Sequence, residues 1–402
     1  MRAPIYVATL AAALFNVPAT ATEDACKTRY SQWMASSIIS RGQGVFTGLG
    51  GASEALQAGF FQKALTALSA RYPNSAAPYE QYIQKSALST VPFLSNASSD
   101  ALTYPMDRLS NGNALLNLAP AKVISNYLTT AHALRESIDL NRRNDAGGLW
   151  YYVYPYWSYL DGMFSLGPFY TLYTLTETPS SNKSTAAALN DMLFQFDILW
   201  RHTYHASTGL LTHGYDATRT AVWADPKTGA SPYVWGRSLG WYAMALVDTL
   251  EILEKGKAPS NYKAPLLDKF QSLMPAVIKA VDPRTGGWWQ VVDQPGRAGN
   301  YIESSGTAMF SYALFKGARL GYLPKKLAPT ATTVATRAQK YLTDTFVVRE
   351  VNGTLGYNGT VSVCSLNSTA SYEYYVGQPL LYNSVLGSAA YVLASIEAES
   401  LR

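Results

Sequence analysis

The chain has 402 residues, 48% hydrophobic and 15% charged, so it holds enough apolar material for a sizeable core and general disorder is excluded. Its formal net charge of +5 is spread without any Lys/Arg-rich run, which argues against nucleic acid as the main partner and leaves a mild bias towards small anionic substrates. The 29 Tyr and 9 Trp suit binding of sugars or other planar, hydroxylated ligands, although large cores use them too.

At the N-terminus, Met1-Arg2 leads into a short apolar stretch, Ile5 to Phe15, and then Ala19-Thr20-Ala21. This pattern predicts a secretory signal peptide over residues 1–21, leaving 22–402 as the mature chain. It is too short for a membrane span, and no later stretch is long enough, so no membrane partner is expected. N-x-S/T sequons follow at Asn96, Asn182, Asn352, Asn358 and Asn367. Together with the leader they predict a secreted, extracellular, glycosylated eukaryotic protein. Cys26 and Cys364 lie near opposite ends of the mature chain; one disulfide between them is the expectation in an oxidising compartment. The histidines, His132, His202, His205 and His213, show no zinc-ligand spacing, and neither metal nor cofactor is expected.

Apolar residues then recur at helical spacing near 26–41, 55–68, 120–139, 163–178, 186–205, 237–255, 263–281, 303–320, 331–346 and 382–398. Alternating strand patterns are short, such as Trp289-Gln290-Val291-Val292. Between helices one loop type returns: Asp145-Ala146-Gly147-Gly148-Leu149-Trp150, Ser207-Thr208-Gly209-Leu210-Leu211, Arg284-Thr285-Gly286-Gly287-Trp288-Trp289 and Asn352-Gly353-Thr354-Leu355-Gly356-Tyr357. A polar-Gly turn followed by apolar or aromatic residues, roughly every 60–80 residues with a helix on each side, describes repeated helical hairpins. About six such units fit the length, which predicts an all-α, single-domain (α/α)6 barrel; ordinary helix-end glycines are the plainer reading.

Functional groups of such a toroid belong at helix N-termini and hairpin loops on one rim. Asp107, in Tyr104-Pro105-Met106-Asp107, precedes a Gly-containing turn and reads equally as a turn or cap residue. Asp161 stands where a helix begins, among Leu160, Met163 and Phe164 and just after Tyr154, Tyr156, Trp157 and Tyr159. A carboxyl desolvated by such neighbours would hold a proton at working pH, as a general acid must; helix cap and catalyst both remain open here. His213, in Thr212-His213-Gly214-Tyr215-Asp216, sits in a loop rather than on an apolar helical face. Arg237 lies between Trp235 and Trp241 at the start of a strongly apolar helix, a poor place for a cation on dipole grounds. It is read as holding an anion, with an internal ion pair as the alternative. No G-x-S-x-G elbow, P-loop or dinucleotide fingerprint appears, so the inventory fits carbohydrate chemistry better than acyl transfer or redox work.

In this order the segments resemble the unsaturated rhamnogalacturonyl hydrolases of glycoside hydrolase family 105, of a secreted fungal type, with the unsaturated glucuronyl hydrolases as relatives. The residues that carry the resemblance are Tyr104-Pro105-Met106-Asp107 with Gly112, Tyr159-Leu160-Asp161-Gly162-Met163 with Gly167-Pro168-Phe169, Thr212-His213-Gly214-Tyr215-Asp216, and Trp235-Gly236-Arg237-Ser238-Leu239-Gly240-Trp241-Tyr242. Gly286-Gly287-Trp288-Trp289-Gln290-Val291-Val292-Asp293 and Gly299-Asn300-Tyr301-Ile302-Glu303-Ser304-Ser305 follow, with a weaker echo at Ser371-Tyr372-Glu373-Tyr374-Tyr375. The resemblance implies an (α/α)6 barrel and, as substrate, an oligosaccharide left by a pectin lyase and ending in a 4,5-unsaturated uronic acid. It implies that Asp161 protonates C4 and then serves as base for the water that adds at C5. Asp107 and His213 would orient substrate or water, and Arg237 would pair with the uronate carboxylate. Trp235, Trp241, Tyr104 and Trp150 would form the sugar-binding walls. Where bacterial members carry a His-Lys pair, this chain has Tyr151-Tyr152, and Ser165 stands where a Met is common, which leaves the neighbouring sugar open. An unsaturated glucuronyl hydrolase, a conventional inverting glycosidase using Asp107 and Asp161, and a non-enzymatic sugar-binding protein are the alternatives.

Overall fold

A computed structural model describes residues 29–51, 53–119, 126–178 and 183–401. The helices in chain order are α1 (Tyr30–Ser40), α2 (Glu54–Arg71), α3 (Ala77–Thr90), α4 (Ala97–Thr103), α5 (Gly112–Leu118, entered through a tight 3-10 turn at Met106–Asn111), α6 (Asn126–Leu140) and α7 (Gly162–Glu177). They continue as α8 (Lys183–Thr203), α9 (Gly236–Lys255), α10 (Ser260–Lys279), α11 (Ser304–Arg319), α12 (Ala328–Phe346), α13 (Tyr372–Val376) and α14 (Val385–Glu399).

Six of these segments close a ring. α2, the Met106–Leu118 segment, α7, α9, α11 and α14 pack against one another in that order, and α14 returns to α2. An outer helix backs each of them: α3 on α2, α6 on α5, α8 on α7, α10 on α9, α12 on α11, and α1 on α14. This is the expected (α/α)6 barrel. Composition explains the sorting. α9 is buried continuously from Gly236 to Leu250, and α11 from Ser304 to Gly317, on residues rich in Gly, Ala and Ser that let inner helices approach closely. α12 buries only Ala331, Ala335, Ala338 and Leu342, the single stripe of an outer helix.

The repeated loops are the turns that follow outer helices. Gly147, Gly209, Gly286 and Gly353 adopt φ of 87°, 73°, 85° and 81°, a left-handed geometry that glycine tolerates best. They come after α6, α8, α10 and α12 respectively. Short antiparallel ladders decorate them, including Trp157–Tyr159 with Gly214–Asp216. The expected strand at Trp289–Val292 is reduced to isolated bridges, Trp289 with Ile302 and Val291 with Trp235.

α3 has no counterpart among the expected helices. Its buried face is Tyr79, Tyr82, Ile83, Ser86, Ala87 and Thr90, a helical spacing filled largely by polar-tipped residues that blur the apolar period. The expected leader, Cys26 and Asn182 lie outside the described residues. Asn96, Asn352, Asn358 and Asn367 are exposed. Cys364 is buried, and the expected Cys26–Cys364 bond lies outside the described residues with Cys26.

Candidate active site

Because the inner helices run parallel, their N-termini converge on one rim, and a cleft of about 90 Å³ opens there. Its wall takes Ser53 and Leu56 from the start of α2, Asp107 from the turn before α5, and Asp161 from just before α7. Trp235, Arg237 and Trp241 come from the start of α9, and Leu386 from α14. Tyr151, Tyr152, Tyr154 and Tyr159 supply an aromatic side, with Tyr151 stacked on Tyr159 at 4.4 Å between ring centres.

The Trp157–Tyr159 ladder sets the register of the chemistry. Tyr159 pairs with Gly214, which brings the next residues, Leu160 and Asp161, against His213; the Leu160 amide donates to the His213 carbonyl at 3.0 Å. Gly214 is required by this approach, since a Cβ there would lie 2.4 Å from the Ser158 carbonyl oxygen. Asp161 occupies the N-cap position of α7 but makes no side-chain cap bond. Its Oδ2 accepts a hydrogen bond from the Ser238 hydroxyl and stands 3.4 Å from His213 Nε2. The carboxylate is therefore turned away from the helix end and into the cleft wall.

His213 is fully buried, flanked by Tyr159 at 5.1 Å and Trp235 at 4.8 Å. Its Nδ1 lies 2.8 Å from the Tyr375 hydroxyl. Burial pushes the Tyr375 phenol well above its ordinary pKa, so it is a neutral hydrogen donor. The His213 Nε2, 3.4 Å from Asp161 Oδ2, has no hydrogen-bond partner among the described residues.

Asp107 is the second carboxyl of the cleft. Its Oδ2 accepts from the Tyr151 hydroxyl at 2.7 Å, while Oδ1 has no partner among the described residues. Burial raises its pKa to about 7; the Tyr151 bond opposes the rise, and the nearby Asp161 charge adds to it. Asp107 is thus poised to hold or release a proton near neutral pH.

Arg237 lines the cleft and is hydrogen-bonded within the protein. Its Nη1 donates to the Val361 carbonyl at 2.6 Å and to Ser305 Oγ at 3.3 Å, and its Nη2 donates to the Ser362 carbonyl at 2.6 Å. Glu303 lies 3.9 Å away and itself caps α11 through the Gly306 amide. The internal-partner alternative thus describes its hydrogen bonding: the guanidinium ties the Val361–Ser362 backbone to α11 while it lines the cleft. Trp235 stacks on this guanidinium at 4.8 Å and donates from Nε1 to Gln290, and Trp241 packs against Phe60 and Phe164. Both tryptophans nevertheless border the cleft.

Tyr104 and Trp150 do not border it. Tyr104 sets its ring edge-on to Phe46 and gives its carbonyl to Arg108. Trp150 tilts on Tyr156, with Arg142 over its face. Ser238 and Tyr151 are the functional neighbours that sequence reasoning passed over. In the sequence Ser238 is one residue of the Trp235–Tyr242 motif directly after Arg237, and Tyr151 stands where the family pattern has another residue. Among the described residues no group of three or more His, Cys, Asp or Glu is placed to hold a metal ion.

Comparison with known proteins agrees with this geometry. A family model described as Glycosyl Hydrolase Family 88 matches residues 57–402. The solved Family 105 glycoside hydrolase of C. acetobutylicum ATCC 824 is 30% identical, with a TM-score of 0.79 over 93% of this chain and 100% of that one. Protein Atu3128 of Agrobacterium fabrum is 36% identical over 216 residues, 52% of this chain and 90% of its own length. The unsaturated glucuronyl hydrolase of Bacillus sp. GL1 shares the fold alone, at 13% identity and a TM-score of 0.65 over 92% of this chain and 95% of that one. The chain therefore belongs to glycoside hydrolase family 88, with a near structural relative in family 105.

Proposed function

We propose that the protein hydrolyses glycosides of 4,5-unsaturated uronic acids by hydrating the ring double bond, with the unsaturated galacturonyl–rhamnose unit of lyase-cut rhamnogalacturonan as substrate. The observation that carries this reading is the pair Asp107 and Asp161 on one aromatic cleft, Asp161 being fixed from behind by Ser238 and His213.

In this mechanism Asp161 delivers a proton to C4, and positive charge develops at C5 and the ring oxygen. Water adds at C5 and loses its proton to the Asp161 carboxylate, which restores the acid. The resulting hemiketal opens to a 5-keto group, and the hemiacetal left at C1 collapses with release of the partner sugar. One water is consumed, and the C1–O bond breaks without direct attack on C1. The Ser238 hydroxyl stabilises the carboxylate form of Asp161 between the two proton transfers, with His213 standing beside it. Asp107, held by Tyr151, orients the water or the ring hydroxyls. Recognition of the uronate carboxylate then falls to the converging helix N-termini of the rim and to hydroxyls such as Ser53, Tyr152 and Ser365. The aromatic side of Tyr151, Tyr154 and Tyr159 offers apolar faces to the sugars. Secretion, and use of the exposed sequons, belong to the same proposal.

The test is an absorbance assay on unsaturated galacturonyl–rhamnose, the matching unsaturated glucuronyl disaccharide and a saturated galacturonyl–rhamnose control. Loss of the enol-ether band on the first, faster than on the second, supports the proposal. Turnover of the saturated glycoside with no loss on either unsaturated one would make the protein a conventional inverting glycosidase.

A further inference from the structure

Glu303 stays behind the cleft wall, 1% exposed, at the N-cap of α11. Its Oε2 accepts from the Gly306 amide at 2.6 Å, and one such bond is all that a helix cap requires. Its Oε1 reaches elsewhere: it accepts from the Val361 amide at 3.0 Å, 58 residues away in sequence. Ser305 Oγ completes the set, at 2.8 and 2.9 Å from the two oxygens.

The carbonyl of the same Val361 is taken by Arg237 Nη1 at 2.6 Å, and that Nη1 lies 3.9 Å from Glu303 Oε1. A buried acid and a buried base thus grip one residue by its N–H and its C=O. Arg237 Nη2 holds the next carbonyl, that of Ser362, at 2.6 Å. The Ser362 amide donates to the Pro379 carbonyl, but Pro379 stands in a loop as well. The ties of this stretch to the helices of the barrel therefore run through Glu303 and Arg237.

Directly beyond the grip the chain enters the cleft wall, as Val363, Cys364 and Ser365. These residues belong to no helix or strand, so no regular ladder holds them in place. The far end is tied at Ser365, whose amide donates to the Tyr374 hydroxyl at 2.8 Å and whose hydroxyl lies 3.3 Å from that of Tyr159. Tyr159 in turn stacks on Tyr151, the donor to Asp107. A buried ion pair is expensive to desolvate and is weak evidence for stability by itself, so its hold on a functional wall is the more telling feature. We infer that Glu303 is a positioning residue for substrate binding: with Arg237 it fixes the Val361–Ser365 strap and so sets the wall presented to the sugar. The inference rests on the reading of the front cleft as the substrate site.

Glu303→Asp separates the two roles, because aspartate caps a helix well but is one methylene too short to keep the Val361 amide too. Val361→Pro approaches from the other side, deleting the accepted N–H and leaving Glu303 and its cap intact. On unsaturated galacturonyl–rhamnose each variant should raise KM roughly tenfold, with kcat within about threefold of the wild type. Hydrogen exchange read by mass spectrometry should quicken at residues 361–365 while α11 keeps its protection. Wild-type KM in both variants, or lost protection in α11 with the strap unchanged, would reduce Glu303 to a helix cap and overturn the inference. A wild-type protein that leaves the enol-ether band intact would sink the hydrolytic reading instead, and the exchange result would still decide whether Glu303 holds the strap.

Discussion

Tyr151 donates to one carboxylate oxygen of Asp107 at 2.7 Å, and the other oxygen of that carboxylate has no partner among the described residues. The Tyr151 bond favours the ionised form, whereas burial has raised Asp107 to about 7. Tyr151→Phe therefore moves the Asp107 pKa upward, by about 0.5–1 unit for a single neutral donor. The check is kcat/KM against pH on unsaturated galacturonyl–rhamnose: the limb set by Asp107 should shift to higher pH. A limb that stays in place would show that Tyr151 does not govern this carboxyl.

Ser238→Ala removes the hydroxyl that Asp161 accepts and leaves the helix start of α9 otherwise intact. A hydrogen bond to a charged group is worth about 1.5–3 kcal/mol, so kcat should fall roughly 10- to 100-fold with little change in melting temperature. An unaltered kcat would mean that Asp161 does not rely on this donor.

Arg237→Met leaves the carbonyls of Val361 and Ser362 without their donor and Glu303 without its cation. Breaking such a buried set costs about 3–5 kcal/mol, so thermal unfolding should shift down by several degrees. A raised KM with unchanged thermal stability would instead support Arg237 as the uronate partner.

Asp100 is fully buried in α4, and neither of its carboxylate oxygens has a hydrogen-bond partner among the described residues. Burial raises its pKa to about 7. The folded state thus keeps a proton that the unfolded chain releases above about pH 4, and stability from this group is lost as pH rises from about 4 through 7. Asp100→Asn should stabilise the protein at pH 8 by about 2–4 kcal/mol and leave it unchanged near pH 4. Chemical denaturation at both pH values measures this; equal effects at the two would refute the assignment of the charge.

The barrel was legible because its grammar is local. Left-handed glycines at 147, 209, 286 and 353 punctuate helices whose apolar period is strong. α3 escaped because Tyr79, Tyr82, Ser86 and Thr90 bury a face that does not look apolar. At the site, Asp107 and Asp161 stood out as acids among aromatics. The partner of Arg237 did not, since carbonyls of a loop more than a hundred residues away leave no mark in side-chain chemistry. The link from Tyr375 to His213 is equally remote, 162 residues in sequence. Asp161 stands at the N-cap without a side-chain cap bond for a tertiary reason: Ser238, brought in by the fold, holds its carboxylate instead.

The central claim is that a proton from the protein reaches C4 before the glycosidic bond breaks. Turnover of unsaturated galacturonyl–rhamnose in D2O, followed by proton NMR and mass spectrometry, measures it directly. The account predicts one deuterium at C4 of the released uronate, formed as its 5-keto product, and loss of this labelling in step with turnover in Asp161→Asn. Release of rhamnose together with an intact, unlabelled unsaturated uronate would contradict it.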